Sequence, residues 1–223
     1  YEPDGVMAIV GGTWSDTWRA VNPGDYNNVL GHGMEYERPV SFEFLEPGGR
    51  AGVQENCGLR VHGSDWMRPR YTRPAKIGIW SYPYKYSFRL YFRDQYGNNR
   101  LEYPLFPFEV DTFKSIVIRG GHNDWNNPFI RDELQRRLHM DMGNVASGGT
   151  FVNLFINGDY KGYFNPCEHI KEEFCQDWFD SDKPWDVVRQ FNDVADGDAI
   201  AFNQLLGFVS QNSLVNAANY LQV

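Results

Sequence analysis

The sequence predicts an α+β domain, in which a mostly antiparallel sheet carries one packed helix and is followed by further helices. Three observations predict it. Apolar and polar residues alternate at period two in several segments. One amphipathic helix, with its own start and stop signals, lies between the strands. An Asn-Gly pair separates two further strand patterns, and both of its residues accept the positive φ that a tight hairpin needs.

The elements follow in chain order. Arg38 to Leu45 alternates Val40, Phe42 and Phe44 with Ser41 and Glu43, and Glu46-Pro47-Gly48-Gly49 then turns the chain. Cys57 to His62 places Leu59 and Val61 on one face and Arg60 and His62 on the other, up to Gly63-Ser64-Asp65. Trp66 to Pro83 has no period and reads as a loop. Lys85 to Arg93 sets Tyr86, Phe88, Leu90 and Phe92 against Lys85, Ser87, Arg89, Tyr91 and Arg93, which predicts a sheet with one packed side and one basic, open side. Leu101 to Phe108 leads on to a strand at Lys114 to Arg119. The helix is expected to be capped by Asn127, to hold Pro128 in its first turn and to end at Gly143, with Ile130, Leu134, Leu138 and Met142 as its buried stripe. Phe151 to Ile156 and Tyr160 to Phe164 flank Asn157-Gly158-Asp159 as a hairpin. A short helix is expected at Glu168 to Phe174, and a longer one at Gly197 to Val209 with Asp196 or Asp198 as cap. Asp180 to Pro184 divides a β-rich part, residues 1–179, from a helical part, residues 180–223.

Composition narrows the function classes. The chain has 223 residues, a formal charge of −8 and 16% aromatic residues spread along its length, so it can bury a large core and is a poor match for nucleic acid or anionic membrane. No apolar run approaches the ~20 residues that cross a bilayer. Three cysteines, Cys57, Cys167 and Cys175, make no disulfide framework and lack zinc-site spacing, so they read as buried thiols. Glu168-His169-Ile170-Lys171-Glu172-Glu173 is not a zinc-protease motif, Asp193, Asp196 and Asp198 lack calcium-loop spacing, and no serine sits in a nucleophile elbow. Trp66, Trp80, Trp125 and Tyr82 suit either core packing or a platform for a flat sugar.

Several segments recur together: E-R-P-V-S-F-E-F at 37–44, G-L-R-V-H-G at 58–63, K-Y-S-F-R-L-Y-F-R at 85–93 and L-E-Y-P-L-F-P at 101–107. The loop I-R-G-G-H-N-D-W with its helix I-R-D-E-L, and the hairpin I-N-G-D-Y-K-G-Y-F, complete the set. From about Pro39 onward this ordered set resembles the CotH family of spore-coat-type protein kinases. The resemblance implies the small lobe of a kinase-like fold followed by the first helices of a large lobe. It further implies ATP and magnesium as cofactors, a secreted or surface (coat-type) protein as substrate, and an extracellular or cell-surface location.

The resemblance also assigns roles. Lys85 would be the strand lysine that contacts the α- and β-phosphates, although Tyr86 stands where many relatives carry a second lysine. Glu133 would pair with Lys85 from the helix, and Arg131 would tie that helix to the large lobe. Gly58 to Ser64, with Arg60, His62, Gly63 and Ser64, would cover the phosphates as a glycine-rich loop does. Gly120 to Trp125 is a second polar loop, where His122 and Asp124 suit capping rather than ligation. Glu168 would sit at a hinge whose backbone groups, at residues 165–168, meet the adenine. Read from the residues alone, Lys85 also fits an exposed strand-edge lysine and Glu133 an ordinary surface glutamate beside Arg136 and Arg137. Residues 199–223 contain no carboxylate. The resemblance implies that the acceptor-positioning and metal-binding aspartates lie beyond the helices that close this chain, past Val223, so residues 1–223 alone are expected to be nearly inactive. A non-catalytic surface or structural module that binds protein or glycan is the alternative.

Overall fold

The computed structural model describes residues 5–10 (backbone only), 33–63, 85–121, 129–189 and 192–223. Its contacts divide the chain into two compact units, Tyr1–His169 and Ile170–Val223.

The first unit is built on a curled sheet. Strands β1 (Gly5–Val10), β2 (Arg38–Leu45), β3 (Val53–His62) and β4 (Ser87–Tyr91) precede two two-residue strands, β5 (Leu101–Glu102) and β6 (Thr112–Phe113). β7 (Ser115–Arg119), helix α1 (Arg131–Asp141), β8 (Val152–Ile156) and β9 (Asp159–Glu168) follow. The sheet closes into a barrel in the order β1-β2-β3-β4-β7-β9-β8. Every pairing in it is antiparallel except the closing one between β1 and β8. β5 pairs with β6 as a separate ribbon.

Period two decides what fills the barrel. Phe42, Leu59, Phe88, Leu90, Ile116, Ile118 and Leu154 are fully buried and pack together inside it. Phe88 and Phe164 stack there with centroids 6.4 Å apart. The alternate positions of the same strands point outward, which puts Arg60, Arg89 and Arg119 on the outer surface. The Asn-Gly hairpin forms as the sequence predicts: Ile156 pairs with Asp159 across Asn157 (φ 52°) and Gly158 (φ 81°).

Five expectations are corrected. β3 begins at Val53 rather than Cys57, and β4 begins at Ser87, leaving Lys85 just outside the ladder. Gly58 to His62 is strand, paired along its length with β4 and at Gly58 and Leu59 with β2 as well, and so is not a glycine-rich loop over a ligand. The apolar stripe of α1 is not buried: Ile130, Leu134, Leu138 and Met142 are between 41% and 77% exposed, while Glu133 is the buried residue. Finally, β9 runs on to Glu168, and the helix expected at 168–174 starts at Glu172. Ser64, Trp66, Trp80, Tyr82, His122, Asp124, Trp125, Asn127 and Pro128 lie outside the described residues.

The second unit holds α2 (Glu172–Phe179), a ribbon of β10 (Val187–Arg189) and β11 (Asp193–Asp196), α3 (Ile200–Gln211) and α4 (Ala217–Tyr220). Asp196 and Asp198 divide the capping work between two helices. Asp196 accepts the Glu172 N–H (2.8 Å) and the Lys171 ammonium (2.9 Å) at the start of α2. Asp198 accepts the Ile200 N–H (2.7 Å) at the start of α3.

Gly58 lies on the outer face, where a Cβ would come within 2.5 Å of the Tyr96 ring and 2.9 Å of Glu37 Oε2. Glu37 is buried there, held by Arg93 Nε (3.2 Å), Arg93 Nη2 (3.1 Å) and the Tyr96 hydroxyl (3.2 Å). Gly58→Ala is therefore expected to destabilise the fold by about 1–3 kcal/mol through overpacking. Urea denaturation measures this, and an unchanged midpoint would show that Tyr96 and Glu37 move aside freely.

Candidate functional site

Strand register assembles the outer face of the barrel. Arg60 pairs with Arg89 and His62 with Ser87 across β3 and β4. Arg89 pairs with Val117 across β4 and β7, and Val117 with Cys167 and Arg119 with Asn165 across β7 and β9. Directly paired residues share a face, so Arg60, His62, Arg89, Tyr91, Arg119, Asn165 and Cys167 form one surface. Helix α1 lies against the β7–β9 part of it.

That part is polar, and this explains the inverted helix. The barrel interior already takes the apolar positions, so α1 meets Arg119 and Asn165 and presents its own polar face to them. Glu133, 2% exposed, accepts Arg136 Nη2 (2.7 Å), Arg137 Nε (2.7 Å) and Asn165 Nδ2 (3.0 Å). Arg136 also donates to Asn165 Oδ1 (2.5 Å), and Asn165 donates to the Thr150 carbonyl (2.7 Å). Gly149 leaves the room for this, since a Cβ there would stand 2.5 Å from Glu133 Oε2. Arg119, at the end of β7, bonds Asp132 of α1, and Arg136 Nε lies 3.1 Å from the same carboxylate. A buried charge survives only when its partners replace the lost water, and here three donors do so.

Lys85 lies elsewhere, at one end of the sheet. Its ammonium donates to the Tyr163 carbonyl and sits 4.7 Å from the Phe129 ring centre and 4.3 Å from that of Phe164. Burial lowers its pKa to about 8. Gly120 lies against the chain at Lys85, because a Cβ there would meet the Lys85 carbonyl oxygen at 2.7 Å, and its N–H donates to Ser87 Oγ (2.9 Å). The expected Lys85–Glu133 pair is thus replaced by two separate arrangements. The strand cation that reaches a helix carboxylate is Arg119, through Asp132. Arg60 and His62 come together with Arg89 on the outer face, and Gly63 (φ 151°) follows at the sheet end.

Glu168 is at the opposite end of β9, level with Ile116. It is buried, and its carboxylate accepts the Gly148 N–H (2.6 Å). The Glu168 N–H donates to the Gly148 carbonyl (2.9 Å), its carbonyl accepts Ser147 Oγ (2.8 Å), and the Pro166 carbonyl accepts the Thr150 N–H (3.0 Å). The backbone expected to meet adenine is therefore already bonded to residues 147–150. Burial pushes the Cys57 and Cys167 thiols up, away from thiolate chemistry.

Arg119, Asp132 and Asn165 escaped the sequence reading, which did set Arg136 beside Glu133. Strand parity alone would have placed Arg119 on the outer face, but nothing in the sequence announces that the helix lands with its polar side down. Among the described residues, no group of three His, Cys, Asp or Glu residues is placed to hold a metal ion. Glu133→Ala leaves Arg136 facing a lost partner and is expected to cost about 3–5 kcal/mol. Thermal unfolding followed by circular dichroism measures it. Leu134→Ala, on the exposed stripe, is expected to stay within about 0.5 kcal/mol of the parent.

The model of the family described as CotH kinase protein matches residues 60–222, more than half of the chain and almost all of the described site. No curated protein matches the chain. The ordered motifs and the strand–helix–hairpin core thus have one family assignment: the chain belongs to the CotH kinase family.

Proposed function

We propose that the first unit is the nucleotide-binding lobe of a protein kinase that transfers the γ-phosphate of ATP to Ser or Thr residues of secreted or surface proteins. The observation that carries this reading is Lys85, a half-buried ammonium at the sheet end, with a lowered pKa, held by a carbonyl and two rings and set beside the Gly120 turn. A triphosphate would supply the anionic partner that Lys85 lacks among the described residues. Arg119 and Asp132 supply the strand-cation to helix-carboxylate link on which kinases depend, and the Glu133 clamp fixes the helix that carries it. Four residues of β7 separate the level of Gly120 from that of Ile116 and Glu168, roughly 13 Å at ~3.3 Å per residue. An extended nucleoside triphosphate spans such a length, with its phosphates toward Lys85.

Bound ATP would bring the transferable phosphoryl group, and this lobe would position it. For magnesium, which the family implies, no group of three His, Cys, Asp or Glu residues stands together among the described residues. Residues 199–223 hold no Asp or Glu and so supply neither a carboxylate base nor a carboxylate metal ligand. The non-catalytic reading, a surface module that binds protein, draws support from the exposed stripe of α1. The two readings part on nucleotide.

Calorimetric titration with ATP is expected to give saturable binding, weakened about tenfold or more in Lys85→Ala, which is about 1.4 kcal/mol or more. Absence of binding, or equal binding by the variant, would favour the protein-binding module. Binding should also depend on pH. A lysine with a folded pKa near 8, below the usual 10.5, loses its charge as pH rises through about 8. ATP affinity is therefore expected to fall between pH 7 and 9, with proton uptake on binding near pH 8 that Lys85→Ala abolishes. The same shift makes the folded state gain stability as pH rises from about 8 toward 10.5, since the unfolded chain then binds more protons.

A further inference from the structure

Docking of α1 through Glu133 and Arg136 turns the opposite side of the helix outward. At 3.6 residues per turn, Ile130, Arg131, Leu134, Leu138, Asp141 and Met142 fall within about 60° of the direction opposite Arg136. All six are exposed. They are also placed symmetrically about the level of Arg136. Leu134 and Leu138 lie at equal distances on either side of it, as do Arg131 and Asp141, and Ile130 and Met142. The two charges sit at the unfavourable ends of their own helix. Arg131 opens α1, where the positive end of the helix dipole repels a cation, and Asp141 closes it, where the negative end repels an anion. A helix tuned for its own stability would carry them the other way round.

We infer that this face is where two copies of the chain meet, helix against helix and antiparallel, about a two-fold axis level with Arg136. Such a pair sets Leu134 of one copy against Leu138 of the other, and Ile130 against Met142, so the stripe that the barrel cannot take is covered. The two-fold also brings Arg131 level with the second copy's Asp141, twice in each pair. Each charge then stands beside the helix end of opposite dipole as well. Charges that oppose their own helix thus become complementary between copies. Parallel pairing would instead set Arg131 against Arg131 and Asp141 against Asp141. The i, i+4 spacing of the stripe is the ridge that packs into its like in the commonest class of helix contact. An 11-residue helix presents less than the ~800 Å² per partner of a standard interface, so association is expected at micromolar concentrations or above. The inference involves neither nucleotide nor Lys85 and stands apart from the kinase reading.

The test is sedimentation equilibrium of the whole chain, in the parent and in Arg131→Asp, Asp141→Arg, the double exchange Arg131→Asp/Asp141→Arg and Leu134→Ala/Leu138→Ala. The parent is expected to pass from monomer to dimer as concentration rises. Dissociation constants about tenfold or more higher are expected for each single charge variant and for the double alanine variant. The two single charge variants, weak alone, are expected to pair with each other when mixed, and the double exchange to lie within about threefold of the parent. A parent that stays monomeric up to about 1 mM overturns the inference. Growth beyond a dimer overturns it too, because a two-fold contact closes at two copies. If Arg131→Asp associates like the parent, Arg131 serves within one chain, as the resemblance implies, and the inference falls. It falls equally if the mixed charge variants stay monomeric. Should the double alanine variant fail to fold by circular dichroism, the exposed charge variants decide alone. Lys85→Ala is expected to associate like the parent, so loss of ATP binding there leaves this result untouched.

Discussion

Closure of the sheet is the constraint on which everything else in the first unit rests. A closed barrel has one interior, and strand alternation hands that interior to every second residue of each strand. Phe42, Leu59, Phe88, Leu90, Ile116 and Ile118 fill it, so their neighbours Arg60, Arg89, Val117 and Arg119 must face outward. The outer surface is thereby fixed as the only place where these side chains can do chemistry. Register then sets the spacing, bringing Arg60 beside Arg89 and Arg119 beside Asn165.

Helix α1 follows from that constraint. An ordinary amphipathic helix buries its apolar stripe, and Ile130, Leu134, Leu138 and Met142 look made for that purpose. Yet the surface available to α1 is the polar outside of β7 and β9. The helix therefore docks through Glu133, Arg136 and Arg137, with Asn165 bonding to both Glu133 and Arg136. Hydrogen-bonded charge pairs are directional where apolar contacts are not, so this docking fixes the helix in one orientation. It also places Asp132 against Arg119, which links the helix to the sheet.

The two basic features of this unit differ in kind. Lys85 is a single cation in an aromatic setting at the sheet end, sensitive to pH near 8 because burial weakens its hold on the proton. Arg60 and Arg89 are a pair of guanidinium groups stacked on one tyrosine ring. Together they give an acidic protein a locally cationic surface, which is why the net charge of −8 says little about its ligands.

Much of this was legible in the residues. Alternation identified β2, the outer part of β3 and the core of β4, and Asn157-Gly158 identified the hairpin, because period and turn chemistry are local properties of the chain. The ordered motifs carried the family. The partners of the polar residues were not legible. The resemblance set Glu133 against Lys85, whereas it meets Asn165 and the Arg136 and Arg137 that the residues themselves set beside it; Gly58 to Ser64 was given the part of a phosphate-covering loop, whereas Gly58 to His62 is the strand that alternation predicted, paired with β4. Sequence alone determined which positions are apolar, where the chain turns and which family the chain resembles, since these depend on neighbours along the chain. Tertiary structure alone decided which face of α1 is buried and which cation meets which carboxylate. Those outcomes depend on strand register and on what surface remains once the barrel is full, and neither is a property of any local segment.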